Sequence, residues 1–198
     1  LVPRYSLSQN GSFTDVLPTF TNVCNDVVVW YVLEADQYEA VTNFAKVTIK
    51  KCPLESRMIN AIADQRYTGL EITPKVGFAD IGNRKIIPSD YTLTYSNNRD
   101  VGQGAVKVSA TEQGNYSGEV IVYFNITKAS YDMSKAKWSS DAGFIYDGTE
   151  KIMSVSGLPD GVTVASYLNN QKVHAGNYTA SVVFNYDSAN YEKPELTD

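Results

Sequence analysis

The chain has 198 residues, 43% of them hydrophobic, which permits one sandwich-sized domain or two to three small modules with cores of their own. A formal net charge of -5 without any basic run argues against nucleic acid or an anionic membrane as partner, because both are held by clustered Lys and Arg. No stretch approaches the ~18 consecutive apolar residues of a membrane span and no cleavable leader opens the chain, so no membrane insertion is expected and any targeting signal is expected to lie outside these residues.

The 14 tyrosines and the aromatic share of 12% favour half-buried pleated surfaces, hence β structure. Leu1-Val2-Pro3-Arg4 matches what a thrombin cut leaves of an expression vector, without the Gly-Ser that normally follows. It is either such a remnant or native sequence, and it is set aside from the fold argument. Strands are predicted at Val27 to Leu33 and at Phe44 to Lys51, forming a hairpin about Tyr38. From Leu54 to Ile62 the spacing of Leu54, Met58, Ile59 and Ile62 would suit a helix, while Met58, Asn60 and Ile62 alternate; we read the segment as strand. Further on, Leu93 and Tyr95, then Val106 and Val108, then Val120, Val122, Phe124 and Ile126 alternate with polar residues, the mark of half-buried strands. Gly, Asn-Asn, Asp-Gly and Pro punctuate them at about the 8 to 12 residue spacing of antiparallel sandwiches.

The chain repeats itself. Asp90 to Asn98 followed by Val101-Gly102 corresponds to Val162 to Asn170 followed by Ala175-Gly176. Upstream stand Tyr67-Thr68-Gly69 and Tyr146-Asp147-Gly148; downstream stand Asn115-Tyr116 and Asn190-Tyr191. An earlier, partial copy is visible when Val23 to Tyr38 is laid on Val101 to Tyr116 without a gap. The unit is therefore about 75 to 78 residues, the size of a small β-sandwich module. The expected architecture is all-β, with tandem immunoglobulin-like sandwiches placed end to end: an incomplete copy over 1–51, a complete one over 52–128 and a third over 129–198 that lacks its closing strand.

These motifs carry a resemblance. Tyr67-Thr-Gly, Asp90 to Asn98, Val101-Gly102, Gly114-Asn-Tyr-Ser-Gly118 and the closing Ile126-Thr-Lys128 resemble the bacterial Ig-like repeats of Gram-positive surface proteins. Tyr146-Asp-Gly, Val155-Ser-Gly-Leu-Pro-Asp-Gly-Val162 and Ala175-Gly-Asn-Tyr-Thr179 resemble the MBG (YGX-type) subgroup of those repeats. The first copy is similar through Tyr5-Ser-Leu-Ser, Gly11-Ser-Phe and Asp36-Gln-Tyr38, but it departs by placing Cys24 where an Ala-Gly pair usually has Gly. The resemblance implies an extracellular protein of the bacterial surface or cell wall, in which such repeats space or present flanking domains of the same chain. Copies that lack a strand leave a sheet edge open, to be completed by sequence outside these residues or by strand complementation from a neighbouring chain.

Cys24 precedes the first strand of the early hairpin and Cys52 follows the second. With the turn centred on Tyr38 they fall opposite one another, where Cα atoms ~4.5 to 5.5 Å apart lie within disulfide reach. A Cys24–Cys52 disulfide is expected in an oxidising location, the alternative being two unrelated small residues separated by a bulge or a register slip.

Nothing in the sequence nominates a catalytic residue, a cofactor site or a metal site. His174, the single histidine, sits in the loop before a strand and is read as exposed. Glu34 with Asp36, and Asp187 near Glu192, are read as solvated turn acids. Asn10, Asn115, Asn125 and Asn177 begin Asn-x-Ser/Thr patterns, read as turns, and an amide crosslink of Asn125 to a lysine is not expected because Asn125 alternates out of phase with Phe124 and Ile126. Trp30 is read as packing; Trp138 is open between packing at a module junction and exposure. The expected function is a non-catalytic spacer with short junctions near Lys51-Cys-Pro53 and Lys128-Ala-Ser130. The alternative is an adhesion module binding a host protein or glycan through loops and aromatic rings.

Overall fold

The computed structural model describes residues 2–82, 84–140 and 143–196, and they form an all-β protein without an α-helix. The strands are β1 (Arg4–Ser6), β2 (Cys24–Leu33), β3 (Val41–Ile49), β4 (Cys52–Pro53), β5 (Gln65–Arg66), β6 (Tyr91–Ser96), β7 (Gly102–Ala110) and β8 (Tyr116–Ser117). They continue with β9 (Glu119–Thr127), β10 (Lys137–Trp138), β11 (Lys151–Ile152), β12 (Val155–Ser156), β13 (Thr163–Leu168), β14 (Gln171–Lys172) and β15 (Ser181–Asn185). The chain divides into two compact units, one of Leu1–Asn60, Val76–Thr94 and Val106–Val122, the other of Ala61–Lys75, Tyr95–Ala105 and Tyr123–Asp198. A four-stranded sheet runs in the order β5-β9-β7-β6.

In the first unit β1, β2 and β3 form an antiparallel sheet in that order. Arg4, set aside in the sequence reading, belongs to it: Arg4 pairs with Val32, and its guanidinium donates to the Phe13 carbonyl at 2.8 Å and meets Glu34 at 3.1 Å. Leu1 lies outside the described residues. The β2–β3 ladder runs Val28↔Lys46, Trp30↔Phe44 and Leu33↔Val41. Its turn is tight, with the Tyr38 amide on the Ala35 carbonyl and Gln37 in the left-handed region at φ 71°. The hairpin therefore turns before Tyr38 rather than about it.

A bulge between Cys24 and Val27, with Asp26 at φ 51°, shifts the register again. Cys24 consequently faces Ile49, and Cys52 leaves the hairpin to pair with Tyr116 in β8. The register that would set Cys24 against Cys52 is not the one adopted, and both thiols are free. The Cys24 Sγ approaches the Val47 carbonyl at 3.8 Å; the Cys52 Sγ accepts from Arg84 at 3.7 Å.

The core of this unit is built by Leu54, Met58, Ile59, Val108 and Tyr116, with Cys52, Phe78, Tyr91, Leu93 and Val122 among the residues packed on it. The segment read as strand, Leu54 to Ile62, forms instead a 3-10 turn at Ser56–Met58 followed by a bridge from Ile59 to Phe78. One turn suffices to bring Leu54, Met58 and Ile59 inward together, which explains why their spacing looked helical and yet extended no further.

The second unit contains short antiparallel pairs, β10 with β12, β11 with β14 and β13 with β15, and the parallel pair β5 with β9. Phe124 and Ile126 of β9 are buried, and a Cβ on Gly104 would stand 2.6 Å from the Phe124 Cζ, so only glycine admits that ring. Two matched turns lie here. Asn98 and Ile72 exchange hydrogen bonds, amide to Asn98 carbonyl at 2.7 Å and carboxamide to Ile72 carbonyl at 3.0 Å. Asn170 and Met153 exchange the same two at 2.8 and 3.0 Å. Asn97 and Asn169, just before them, are both left-handed at φ 50° and 59°, and Gly69 and Gly148 of the two Tyr-x-Gly motifs share a φ of 79°.

Candidate functional site

Two asparagines, Asn115 and Asn190, organise the polar structure of their respective units. In the first unit the Asn115 Oδ1 accepts the Val23 amide at 2.7 Å and its Nδ2 donates to the Asn22 Oδ1 at 3.3 Å. Its carbonyl accepts the Cys52 amide at 2.9 Å, and its own amide donates to the Asp90 Oδ1 at 3.1 Å. Asp90 is only 2% exposed and its second oxygen takes the Ile87 amide at 3.0 Å, so this carboxylate is fully engaged. The Lys51 ammonium donates to the carbonyls of Thr111 and Glu112 at 3.1 and 2.5 Å. Next along the chain Tyr116 is buried, which pushes its hydroxyl pKa up, and it pairs in parallel with Cys52.

The second unit repeats this set. The Asn190 Oδ1 accepts the Val101 amide at 3.0 Å, and the Asn190 carbonyl accepts the Ala129 amide at 3.0 Å. Its amide and its Nδ2 donate to Asp187 at 3.2 and 3.0 Å, and the Lys128 ammonium donates to the Ser188 carbonyl at 2.7 Å. The hydrogen bond from the Asn190 side chain is the main reason the Asp187 carboxyl titrates below its ordinary range. Tyr191 pairs in parallel with Ala129, stacks on Tyr131 at 4.1 Å and meets the edge of Tyr67 at 5.4 Å. Burial raises the Tyr67 hydroxyl pKa, with the Asp187 charge adding to it.

A second feature lies wholly within the second unit: an open cleft of about 560 Å³. Its walls carry the rings of Trp138, Phe144, Tyr146 and Tyr178 together with Asn170 and His174. The Lys172 ammonium lies 5.1 Å from the centre of the Tyr178 ring, and Lys151 meets Asp147 at 2.6 Å. That contact and the hydroxyl of Thr149 hold the Asp147 carboxyl well below the usual carboxylate range. Among the described residues no group of three or more His, Cys, Asp and Glu stands together.

His174 is exposed, as its loop position suggested, and it stands on the cleft wall. Trp30 is half-buried and packs at 5.1 Å on Phe44, a ring 47% exposed. Trp138 lies 6.0 Å from Tyr167 and also faces the cleft. The Asn125 carboxamide donates to Asp64 at 3.1 Å. Glu34 and Asp187 are exposed, as expected of solvated turn acids, and they also hold Arg4 and Asn190. Sequence reasoning used Asn-Tyr as a mark of the repeat without giving it a task, and it passed over Asp90, Lys51 and Lys128. The signal for the lysines was present, since each precedes a junction at a matching place; Asp90 carries none. No protein-family model, curated protein or solved structure matches the chain.

Proposed function

We propose that the chain is a string of Ig-like β modules of the bacterial, MBG-like kind, over 1–51, 52–128 and 129–198, serving as a non-catalytic, semi-rigid spacer of a secreted cell-surface or wall protein. The observation that carries this reading is the recurrence of one hydrogen-bond set at two places. Asn115 with Val23, Cys52 and Lys51 has its counterpart in Asn190 with Val101, Ala129 and Lys128. In each case an Asn-Tyr corner of one module takes the amide just before a long strand of the module before it, Val23 ahead of β2 or Val101 ahead of β7, and the amide of the residue after the linking lysine. A direct hydrogen bond contributes about 0.5–1.5 kcal/mol, so several at one short linker restrain bending without needing a large apolar interface. A spacer gains from the same joint used repeatedly, because the direction of the string is then set by the repeat itself.

Small-angle scattering of the full chain tests the reading. An elongated particle is expected, with a broader distance distribution once Asn115→Ala and Asn190→Ala are combined. A compact particle, or an envelope indifferent to both substitutions, would remove the reading. The alternative, adhesion through a glycan, is favoured by the ring-lined cleft. Oligosaccharide binding by the full chain that disappears in Trp138→Ala would favour that alternative over spacing alone.

A further inference from the structure

We propose that Tyr131 and Tyr191 form an oxidative cross-linking site, where oxidation of both phenols by a peroxide joins their rings through a carbon–carbon bond and fastens the second corner to its linker. The bond follows from the contact of the two rings; its consequence for the joint rests on the spacer reading.

The pair is placed by the same hydrogen bonds that make the corner. The Ala129 amide donates to the Asn190 carbonyl at 3.0 Å and the Glu192 amide donates to the Ala129 carbonyl at 2.8 Å, which sets Tyr191 opposite the linker. Its ring stacks on that of Tyr131, with centres 4.1 Å apart and planes 15° from parallel. The Tyr131 hydroxyl accepts the Asp187 amide at 3.2 Å, which holds the far end of that ring. Tyr67 meets Tyr191, and Tyr186 meets Tyr131, only edge to face, at 80° and 90° with centres 5.4 and 6.4 Å apart. The unpaired electron of a phenoxyl radical is spread over the face of its ring. Two faces in contact can couple, whereas an edge presents ring hydrogens to its neighbour.

Packing does not require a phenol at position 131. In the second copy Cys52 pairs with Tyr116 as Ala129 pairs with Tyr191, and two residues after Cys52 stands Leu54. Leu54 and Tyr116 share one buried cluster. The corner thus closes with leucine near tyrosine in one copy and with tyrosine on tyrosine in the next, and a leucine cannot be oxidised to a cross-link.

Hydrogen peroxide, acting through a haem peroxidase, takes one electron and one proton from each hydroxyl and leaves as two waters. The two phenoxyl radicals then join through ring carbons beside their oxygens, and the hydrogens on those carbons pass to the oxygens as protons, restoring two phenols. The chain loses two hydrogens and gains one carbon–carbon bond. Because the rings are already in contact the coupling is unimolecular, and in dilute protein it outruns coupling between chains.

The test treats the full chain, at low concentration, with hydrogen peroxide and peroxidase, followed by tryptic mass mapping. The expected product joins peptide 129–135, in which Tyr131 is the one tyrosine, to peptide 173–198, two hydrogens lighter than their sum and linked at Tyr191. Tyr131→Phe and Tyr191→Phe preserve the rings and should each lower this product by about tenfold or more, while Tyr67→Phe and Tyr186→Phe should leave it unchanged. Amide exchange at Ala129 and Val101 should slow after oxidation of the parent chain and not after oxidation of Tyr131→Phe. No linked peptide, a bond to Tyr178 or Tyr186 instead, persistence of the product in Tyr131→Phe, or links between chains alone would overturn the proposal. A link that forms without slowing exchange at either amide would overturn its role at the joint. Each of these failures is distinct from failure of the spacer reading, which the scattering of the unoxidised asparagine variants decides.

Discussion

Val106 and Val108 are 0% exposed, while Leu168 and Val183, on strands with the same alternating pattern, are 65% and 57% exposed. Alternation assigns a residue to a face, but what lies opposite that face decides whether water is excluded. Val108 has a 3-10 turn delivering Met58 and Ile59 to the same cluster. Leu168 and Val183 stand at exposed positions of the alternation in β13 and β15. The largest expected effects sharpen this contrast. Met58→Ala, at a side chain 1% exposed, should destabilise by about 2–5 kcal/mol in denaturant titration, because a buried cavity is left behind. Val183→Ala should cost less than about 0.5 kcal/mol. Equal losses at the two positions would mean that something covers Val183 in solution, and would break the comparison.

Exposure in the second unit does not mean looseness throughout. Gly157, at φ 74°, leaves no room for a side chain: a Cβ would stand 2.0 Å from the Lys135 carbonyl oxygen. A backbone oxygen cannot swing aside as a side-chain tip can, and a left-handed backbone adds its own penalty for any L side chain. Gly157→Ala is expected to lower stability by at least about 2 kcal/mol, combining both costs. Gly148→Ala, with the same kind of φ and nothing within 4 Å, should lose only the backbone part, about 1–2 kcal/mol. The difference between the two substitutions in thermal melts measures how closely Lys135 is held.

The two asparagine corners come next. Asn115→Ala and Asn190→Ala each remove a carboxamide that accepts a backbone amide just ahead of a strand, at an expected cost of about 1 kcal/mol per hydrogen bond. Amide exchange should speed up at Val23 in the first variant and at Val101 in the second, with little cross-effect. If both variants exchanged faster at the same amide, the corners would not be independent and the modular reading would weaken.

Much of this was legible in the sequence. The all-β class followed from period-two alternation and Gly and Asn punctuation, and the Asn97 and Asn169 turns follow from the tolerance of asparagine for left-handed backbone. The pairing register was not legible. It depended on Gln37 adopting a positive φ and on a bulge at Asp26, neither of which composition marks, and a shift of this size was enough to separate Cys24 from Cys52. The cleft was out of reach for a related reason: Trp138, Tyr146 and Tyr178 come from three separate segments that only the folded chain brings to one place.

The corners also differ in a way that acid exposes. Asn190 directs its Nδ2 to the Asp187 carboxylate, whereas Asn115 directs its Nδ2 to the neutral Asn22 carbonyl. Hydrogen bonds from Asn190 depress the Asp187 carboxyl below its ordinary value of 3.8, so the charged form is the one the fold favours. A depressed folded-state value contributes stability that is complete above the unfolded value and is lost as pH falls through the folded one. The second corner should therefore begin to loosen only below about pH 4. In NMR titration the Asn190 side-chain amide should move with a midpoint under 3.8, while the Asn115 side-chain amide, whose acceptor cannot take a proton in this range, should stay in place. Were both to move together at the same midpoint, the acid response would be a general loosening of the protein and not the titration of one carboxylate at one corner.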